Sequence, residues 1–321
     1  MLGATRGAAV RPAGAARAQP GRRALAVRCD AAAKKKVVVT GAGGRTGGLV
    51  VQKLLEARER FDVVATVRSR ASSGAKLTAA GLPESALVEF DVAAAAAGAG
   101  AAADNPAASA FAAALAGADA LVICTSGVPQ IKYLSLIPVM LAKLTGKEGV
   151  RPQFTWKAGQ RPEQVDWLGQ KVQIDAAKAA GVKQVIVISS MGGTDPNHQL
   201  NSLGEGNILQ WKRRAEQYLV ASGLDYTIIH PGGLIDEAGG AKQVVLGVDD
   251  KLLENNPRNI PRADVAALAV GCIGQPAAAK RSFDCIAVPV AAGGAPPSND
   301  PVALLGGLAG DCDYSINSQL A

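Results

Sequence analysis

The chain has 321 residues, and its formal net charge of +7 lies almost entirely at the amino terminus. Residues 1–29 hold six arginines and no acid, so the rest of the chain is close to neutral and lacks the basic surface typical of nucleic-acid-binding proteins. Five cysteines without a Cys-x-x-Cys pair and only two histidines argue against a structural zinc site or a disulfide framework, and we predict no metal site. No apolar run reaches the roughly 20 residues that a membrane span requires.

The amino-terminal segment has the composition of an organelle transit peptide, since it is basic, alanine-rich and poor in acids. We therefore predict a transit peptide over residues 1–30, a folded domain over residues 35–290 and an unassigned tail over residues 291–321. Processing near Val27–Asp30 would suit import into the plastid stroma. A mitochondrial address is the alternative, and so is a basic arm that stays on the protein.

The stretch Val37–Gly47 predicts a strand, a tight turn and the start of a helix over about Gly44–Ala57. A continuous valine run is typical of a buried parallel strand. Glycines at 41, 44 and 47, with Gly43 between them, let the backbone turn sharply and approach a ligand. The free N–H groups of the helix then face that gap, which favours binding of a dinucleotide pyrophosphate. A purely structural turn is the alternative.

A second predicted strand, Phe61–Val67, ends at Arg68-Ser69-Arg70. An NAD-preferring fold places an acid at this point to hold the ribose 2′-hydroxyl, and none is present. Guanidinium groups bind phosphate with paired donors, so Arg68 and Arg70 with Ser69, assisted by Arg45 from the glycine turn, predict NADP(H). The alternative is that these arginines are solvated loop residues.

Leu87–Phe90 predicts a short third strand, followed by Asp91 and Val92, which could face the adenine or begin the next helix. The alanine-rich stretch Ala93–Ala108 is interpreted as an exposed insertion of low complexity. Ala118–Cys124 predicts a fourth strand. The small polar residues Thr125 and Ser126 after it would border the cofactor crevice.

The rest of the chain continues the alternation of strands and helices, after an insertion over Lys132–Trp156 that we expect to cross the mouth of the crevice with at most one short helix. The predicted elements are a helix over about Glu163–Ala180, a strand ending at Ser189 and Ser190, a helix over about Asn207–Ser222, a strand over Asp225–Ile229 leading to Pro231, Gly232 and Gly233, a helix from Pro261, and a last strand over Ser282–Val288. This order predicts an α/β fold, a Rossmann-type doubly wound parallel sheet with a small C-terminal lobe.

Six segments together resemble the atypical short-chain dehydrogenase/reductase (SDR) superfamily, in its plastid NAD(P)-binding Rossmann subgroup. They are Val39–Gly47, Glu163–Gln170, Ile174–Lys183, Ser189–Thr194, Gly206–Lys212 and Ile260–Val265, and the resemblance spans about residues 36–288. It implies a domain that holds NADP(H), with the substrate cleft between the carboxyl edge of the sheet and the C-terminal lobe. In active relatives, a serine after the fifth strand and a Tyr-x-x-x-Lys on the next helix carry the chemistry.

The resemblance implies that Ser190 and Lys212 are the catalytic residues, but the tyrosine is missing. Ile208 stands four residues before Lys212, and Tyr218 lies on the wrong side of it. Lys212 itself, a serine, His230 or a bound water could donate the proton instead. His230 stands where relatives often carry arginine, and we favour a loop histidine with a backbone partner. Asp166 is interpreted either as facing the nicotinamide or as a residue on the helix surface.

The predicted cofactor contacts are Gly41, Gly43, Gly44, Arg45, Thr46, Gly47, Arg68, Asp91, Val92, Thr125, Ser126, Ser189, Lys212, Pro231, Gly232 and Gly233. The favoured function is an NADP(H)-dependent plastid oxidoreductase acting on a small organic substrate. A non-catalytic NADP(H)-binding regulatory or assembly protein is the alternative, and an RNA-binding relative is disfavoured by the near-neutral chain. A homodimer is compatible with the sequence, which sets no oligomeric state.

Overall fold

The computed structural model describes Gly3 and residues 33–98, 106–147, 149–290 and 297–317. The predicted transit peptide therefore lies almost wholly outside the described residues. From Lys34 onward the chain forms one compact unit. Among the described residues, no helix has both the length and the apolar character to cross a bilayer.

The elements of this unit alternate between strand and helix through most of its length. The strands are β1 (Lys35–Thr40), β2 (Phe61–Val67), β3 (Leu87–Glu89), β4 (Ala120–Ile123), β5 (Gln130–Ile131), β6 (Phe154–Thr155), β7 (Gln184–Ile188), β8 (Asp225–Pro231), β9 (Gly233–Ile235), β10 (Gln243–Gly247), β11 (Asn259–Pro261) and β12 (Arg281–Val288). The helices are α1 (Arg45–Glu56), α2 (Arg70–Ala79), α3 (Val92–Ala97), α4 (Pro106–Leu115), α5 (Leu136–Leu144), α6 (Gly169–Ala179), α7 (Ile208–Ala221), α8 (Arg262–Gly271) and α9 (Pro301–Gly306).

Eight of these strands form the central sheet in the order β10-β12-β8-β7-β4-β1-β2-β3. All neighbours are parallel except β10, which runs antiparallel to β12 at the edge. The strand order reverses between β1 and β4, which pair directly, so a crevice opens at their carboxyl ends. This topology confirms the predicted Rossmann-type doubly wound sheet.

The alternation of side chains along β1 divides the core between the two faces of the sheet. Val37 and Val39 belong to one apolar cluster, which α1 and α8 cover with residues such as Leu54. Val38 belongs to the other cluster, which includes Phe111 of α4 and Ile174 of α6. Because both faces are covered, the strands are apolar throughout, as the sequence predicted.

One stretch differs from its prediction. The alanine-rich residues Ala93–Ala108 are expected to form an exposed insertion, but Ala93 and Ala95 of α3 are buried against the core. Alanine is a strong helix former and packs closely, so low sequence complexity does not here mean exposure. Residues 99–105 of this stretch lie outside the described residues.

The insertion over residues 132–156 contains one α-helix, α5, as expected, and it is framed by an antiparallel pairing of β5 with β6. The next helix begins at Glu163, as predicted, but its first part is not a regular α-helix. Residues Glu163–Leu168 form a π-helical turn, and the regular α-helix α6 begins at Gly169. π-turns widen a helix locally and are frequent at functional sites, because they redirect single side chains.

Candidate cofactor and substrate site

The glycine turn between β1 and α1 packs directly against the end of β4. Gly41 has a φ of +67°, and a Cβ on it would lie 2.7 Å from the carbonyl carbon of Cys124. A Cβ on Gly47 would overlap the carbonyl oxygen of Gly41, so α1 can pass this close only without one. No side chain caps the first turn of α1, which starts at Arg45 after Gly44. Its amide groups are therefore available to an anionic group in the crevice, as pyrophosphate binding requires.

The predicted phosphate-binding arginines have separate partners. Arg68, after β2, donates to Gln160 Oε1. Arg45 lies 2.9 Å from Asp236, which also accepts from Arg262 at 2.6 Å. Both Arg45 and Asp236 are more than half exposed, so this pairing is weak and a phosphate group could displace it.

The residues predicted to contact the adenine and ribose follow β3 and β4. Asp91 caps α3, because its Oδ1 accepts from the amides of Ala93 and Ala94 at 2.9 and 3.2 Å. Of its two interpretations, helix capping is therefore confirmed and the adenine contact stays a prediction, as it does for the buried Val92. After β4, Thr125 Oγ1 accepts from Gln173 and Ser126 lines the neighbouring cavity.

A cavity of about 540 Å³ opens beside the glycine turn, within the size range of small-molecule sites. It brings together the ends of β4, β7 and β8, the start of α7 and the loop before it. Its wall includes Thr46, Ser189, Ser190, Lys212, Pro231, Gly232 and Gly233 from the predicted set, and Trp156, Met191, Leu200, Leu203, Ile208, Leu209, Leu234, Leu253, Arg258 and Arg262 besides. The cavity is thus mostly apolar with a few polar groups at one side.

Lys212 is the cation that α7 places in this wall. Its Nζ lies 2.8 Å from Asp166 Oδ1, and the two side chains are 7% and 0% exposed. That oxygen makes no hydrogen bond of good geometry, so the contact is an ion pair. The other oxygen, Oδ2, accepts from the amide of Gly127 at 2.8 Å. Asp166 sits in the π-helical turn, and its interpretation as a surface residue is wrong.

The side chains next to Lys212 leave it almost without contact with solvent. Ile208, one turn earlier on α7, lines the cavity where the resemblance leads one to expect the tyrosine. Trp156, from the end of the insertion, is 9% exposed and donates from Nε1 to the carbonyl of Gly204 at 3.1 Å. A Cβ on Gly127 would lie 3.0 Å from Asp166 Oδ2 and 3.3 Å from the Trp156 ring. Asp166 and Trp156 therefore both pack closely against Gly127, an arrangement that the sequence did not suggest.

The two predicted serines behave differently. Ser190 lines the cavity, and its hydroxyl donates to the carbonyl of Met191 at 3.0 Å, a local bond that a substrate could replace. The hydroxyl of Ser189 instead donates to Glu216 Oε1 in the interior. Cys124 also borders the cavity, but burial raises the pKa of its thiol to about 12, so it is not a thiolate nucleophile at neutral pH.

A second polar cluster lies behind Ser189, away from the cavity. His230 Nε2 lies 3.2 Å from Glu216 Oε2, and His230 Nδ1 lies 3.4 Å from Asp284 Oδ1 and 3.6 Å from Cys312 Sγ. All four side chains are buried. His230 belongs to β8 and has side-chain partners, so its interpretation as a loop histidine with a backbone partner is wrong.

The charges of this cluster balance one another. Burial disfavours the charged imidazole, but the charge of Glu216 and hydrogen bonds with Asp284 and Cys312 raise the pKa of His230 well above its ordinary value. Burial also disfavours the charged form of Glu216, which raises the pKa of this carboxyl. The charges of His230 and Arg213 outweigh burial, so the pKa of Glu216 is lowered overall. Sequence spacing could not reveal this cluster, because its members come from α7, β8, β12 and the carboxy-terminal segment.

A family model described as NAD(P)H-binding matches residues 41–276, which include the glycine turn, α7 and α8. The chain belongs to the NAD(P)H-binding family. An uncharacterised chloroplastic protein of Arabidopsis thaliana is 45% identical over 257 residues, covering 80% of this chain and 71% of that protein. Sanguinarine reductase of Eschscholzia californica is 39% identical over 263 residues, covering 79% of this chain and 90% of that protein.

Solved structures of low identity agree on the fold. A putative NAD-dependent epimerase/dehydratase from Bacillus halodurans is 23% identical with a TM-score of 0.57, covering 80% of this chain and 95% of that one. The Rossmann-type fold is thereby confirmed, and the family model and the plant relatives confirm the resemblance to NAD(P)-binding proteins. Relatives that are named as chloroplastic, TIC 62 of Arabidopsis thaliana among them, support a plastid location for this chain.

Proposed function

We propose that this protein is an NADP(H)-dependent oxidoreductase of the plastid stroma that acts on a small, largely apolar organic carbonyl or quinone. The observation that carries this proposal is the Lys212–Asp166 ion pair, which lies in the wall of an apolar cavity beside the glycine turn. A buried ion pair is costly to maintain, and it is most useful where a charged hydrogen-bond donor must act on a bound molecule. The reductase name of one relative accords with it.

The dinucleotide fits the observed cradle. The pyrophosphate would bind the amides at the start of α1, where Gly41 and Gly47 leave room that a Cβ would fill. Arg68 would bind the 2′-phosphate, and its present partner is a neutral glutamine. The absence of an acid after β2 favours NADP(H) over NAD(H). When bound, the nicotinamide supplies the hydride.

The residues of this chain would position the substrate and supply a proton. Lys212 would donate a hydrogen bond to the substrate oxygen, because its side chain lines the cavity while Asp166 holds the ammonium group in place. Gly127, through its amide, holds the second carboxylate oxygen and so fixes the pair. Ser190 is the second donor within reach of the cavity. Ile208 and Trp156 exclude water, which strengthens these polar contacts.

A non-catalytic role is the second candidate, and Ile208 favours it. In this fold a tyrosine at that place would donate the proton, and isoleucine cannot. A protein that binds NADP(H) without turnover could report the redox state or assist assembly. The folded domain over residues 35–290 would serve either role, and a mitochondrial location remains the alternative to the stroma.

One set of variants separates the two candidates. We expect Lys212→Met to lower the kcat/KM of NADPH-dependent reduction, over a panel of quinones and carbonyls, by about 100-fold or more. Asp166→Asn should lower it less, because the neutral amide holds the ammonium ion in place less firmly. The NADPH dissociation constant, measured by fluorescence, should change by only a few-fold in both variants.

Lys171→Met is the matched control, since Lys171 also pairs with an aspartate but on the exposed face of α6. It should leave turnover unchanged. If the wild-type protein binds NADPH and no compound of the panel consumes it, the enzyme proposal fails and the non-catalytic role stands.

A further inference from the structure

The buried cluster behind Ser189 has the geometry of a metal site. His230 Nδ1, Asp284 Oδ1 and Cys312 Sγ converge on one point, with separations of 3.4, 3.6 and 3.9 Å. Zinc bonds of about 2.0–2.3 Å at tetrahedral angles separate ligand atoms by roughly 3.3–3.7 Å. The first two separations fall in that range and the third is slightly longer. By contrast, the 3.4 Å between His230 Nδ1 and Asp284 Oδ1 is long for a hydrogen bond.

The surroundings of these three atoms resemble the outer shell of a zinc site. His230 directs its other nitrogen, Nε2, toward Glu216 Oε2 at 3.2 Å, the carboxylate–histidine arrangement that fixes the ring of a metal-bound histidine. Glu216 in turn accepts from Ser189. The second oxygen of Asp284 accepts from the amide of Asp250 at 2.7 Å, which leaves Oδ1 aimed at the other two donors.

A fourth ligand has space beside the cluster. A cavity of about 10 Å³ adjoins His230, Asp284 and Cys312, and it is also lined by Ser190 and Thr194. This volume is close to that of a single water molecule. A three-residue set with one water is a common zinc coordination.

We propose that His230, Asp284 and Cys312 bind a zinc ion, with a water as the fourth ligand, and that this ion fastens the carboxy-terminal segment to β8 and β12. Binding replaces the proton on His230 Nδ1 and the thiol proton of Cys312, and both protons pass to solvent. A dication with one thiolate and one carboxylate is then neutral, and Glu216 stays balanced by Arg213 at 3.8 Å. The proposed site differs from the prediction, based on cysteine spacing, that the chain has no metal site.

The proposal is independent of the oxidoreductase function, because the ligands lie outside the 540 Å³ cavity. The Cys312 thiol distinguishes a zinc site from a metal-free network of hydrogen bonds. Cys312 contributes little to a network, since a thiol is a weak donor, but it would be the strongest ligand of a zinc ion.

The test measures metal content and the ligand spectrum in the full, untagged chain. We expect the purified protein to bind one equivalent of zinc in equilibrium dialysis. Cobalt in place of zinc should give tetrahedral absorption bands and a thiolate-to-cobalt charge-transfer band. Cys312→Ser should remove the charge-transfer band and weaken zinc binding by about tenfold or more, and Glu216→Gln should weaken it by about 10–100-fold.

Cys272→Ser is the matched control, because Cys272 is also a buried free cysteine and lies outside the cluster. It should bind zinc like the wild type. Failure of the wild type to take up a stoichiometric ion would overturn the proposal, and so would zinc binding by Cys312→Ser at wild-type strength. The cobalt spectrum of the wild-type protein decides the matter even if the variants fold poorly.

Discussion

Helix α7 carries the buried charges of Lys212 and Glu216 one turn apart, and these two charges belong to different environments. Lys212 faces the 540 Å³ cavity and pairs with Asp166. Glu216 faces the closed interior, where it contacts Ser189 and His230 beside a void of about 10 Å³. Both side chains are less than a tenth exposed, so burial alone does not tell them apart. What differs is whether a molecule can reach the charge.

This difference separates a site for chemistry from a site that holds the fold together. A charge beside an open cavity can exchange its partner for substrate or water during a reaction. A charge in a closed network can exchange only protons or a small ion. When such a charged side chain is removed, its former partners stay buried with neither a counter-charge nor water around them. The predictions below test this contrast, from the largest expected effect to the smallest.

Removal of the charge of Glu216, in the closed interior, should be the most destabilising change. We expect Glu216→Gln to lower the free energy of unfolding by about 3–5 kcal/mol, because it leaves the charges of His230 and Arg213 in excess in the interior. Lys212→Met should cost less, about 1–2 kcal/mol, since the Asp166 carboxylate keeps its hydrogen bond from the amide of Gly127. Urea unfolding with a chelator present measures both.

Glu237→Gln serves as the control, because it breaks an exposed pair with Lys242 and should change stability by less than about 1 kcal/mol. Equal losses in Glu216→Gln and Lys212→Met would mean that the side of α7 next to the cavity tolerates the loss of a buried charge no better than the interior side.

The cavity beside Lys212 should accept an additional proton donor. Ile208→Tyr creates the Tyr-x-x-x-Lys spacing on α7 at a position that already lines the cavity. We expect kcat for carbonyl reduction to rise by about tenfold or more, because general acid catalysis by a positioned side chain contributes at least this much. Ile208→Phe controls for ring size and should bring no gain. A rise in both variants would attribute the effect to shape instead of to the hydroxyl.

The cofactor side of the crevice should show an intermediate effect. Arg68→Ala should reduce the preference for NADP(H) over NAD(H) by about 1–3 kcal/mol, in line with the loss of charge-assisted phosphate contacts. The ratio of the two dissociation constants measures this. Arg70→Ala is the control, because the Arg70 guanidinium turns back to the carbonyl of Leu87. An unchanged ratio in Arg68→Ala would refute the assignment.

A solvent-facing pair should show the smallest effect, and one that depends on pH. Burial raises the pKa of Asp119, but its bonds from Lys183 and the amide of Lys36 lower it overall below the ordinary 3.8. A lowered pKa in the folded state stabilises the fold above 3.8, and that stabilisation is lost as the pH falls through the folded-state pKa. Asp119→Asn should therefore cost about 1 kcal/mol or less at neutral pH, because Lys183 is exposed.

In acid, the wild type and Asp119→Asn should converge in urea unfolding. Lys183→Met is the companion variant, and it should remove only part of the same contribution, since the amide of Lys36 still donates at 2.8 Å. A difference that persists unchanged below pH 3 would show that the carboxylate charge is not its source.

The strands and helices that carry the fold could be predicted because their signals are local. A valine run followed by glycines at 41, 44 and 47 fixed both β1 and the start of α1, and β2 lies at its predicted bounds. Where the signal was composition alone, as in the alanines after Val92, the prediction of exposure was wrong. Burial of α3 depends on which surface meets it.

The sequence by itself determined a parallel α/β sheet with a nucleotide-binding turn, because the periodicity of apolar residues and the positions of glycines act within a few residues. Only the tertiary structure decided that Asp166 holds Lys212 and that His230 meets Asp284 and Cys312. These partners are separated by dozens of residues along the chain. Their contacts depend on strand order and on one π-helical turn, and no local pattern of side chains encodes either.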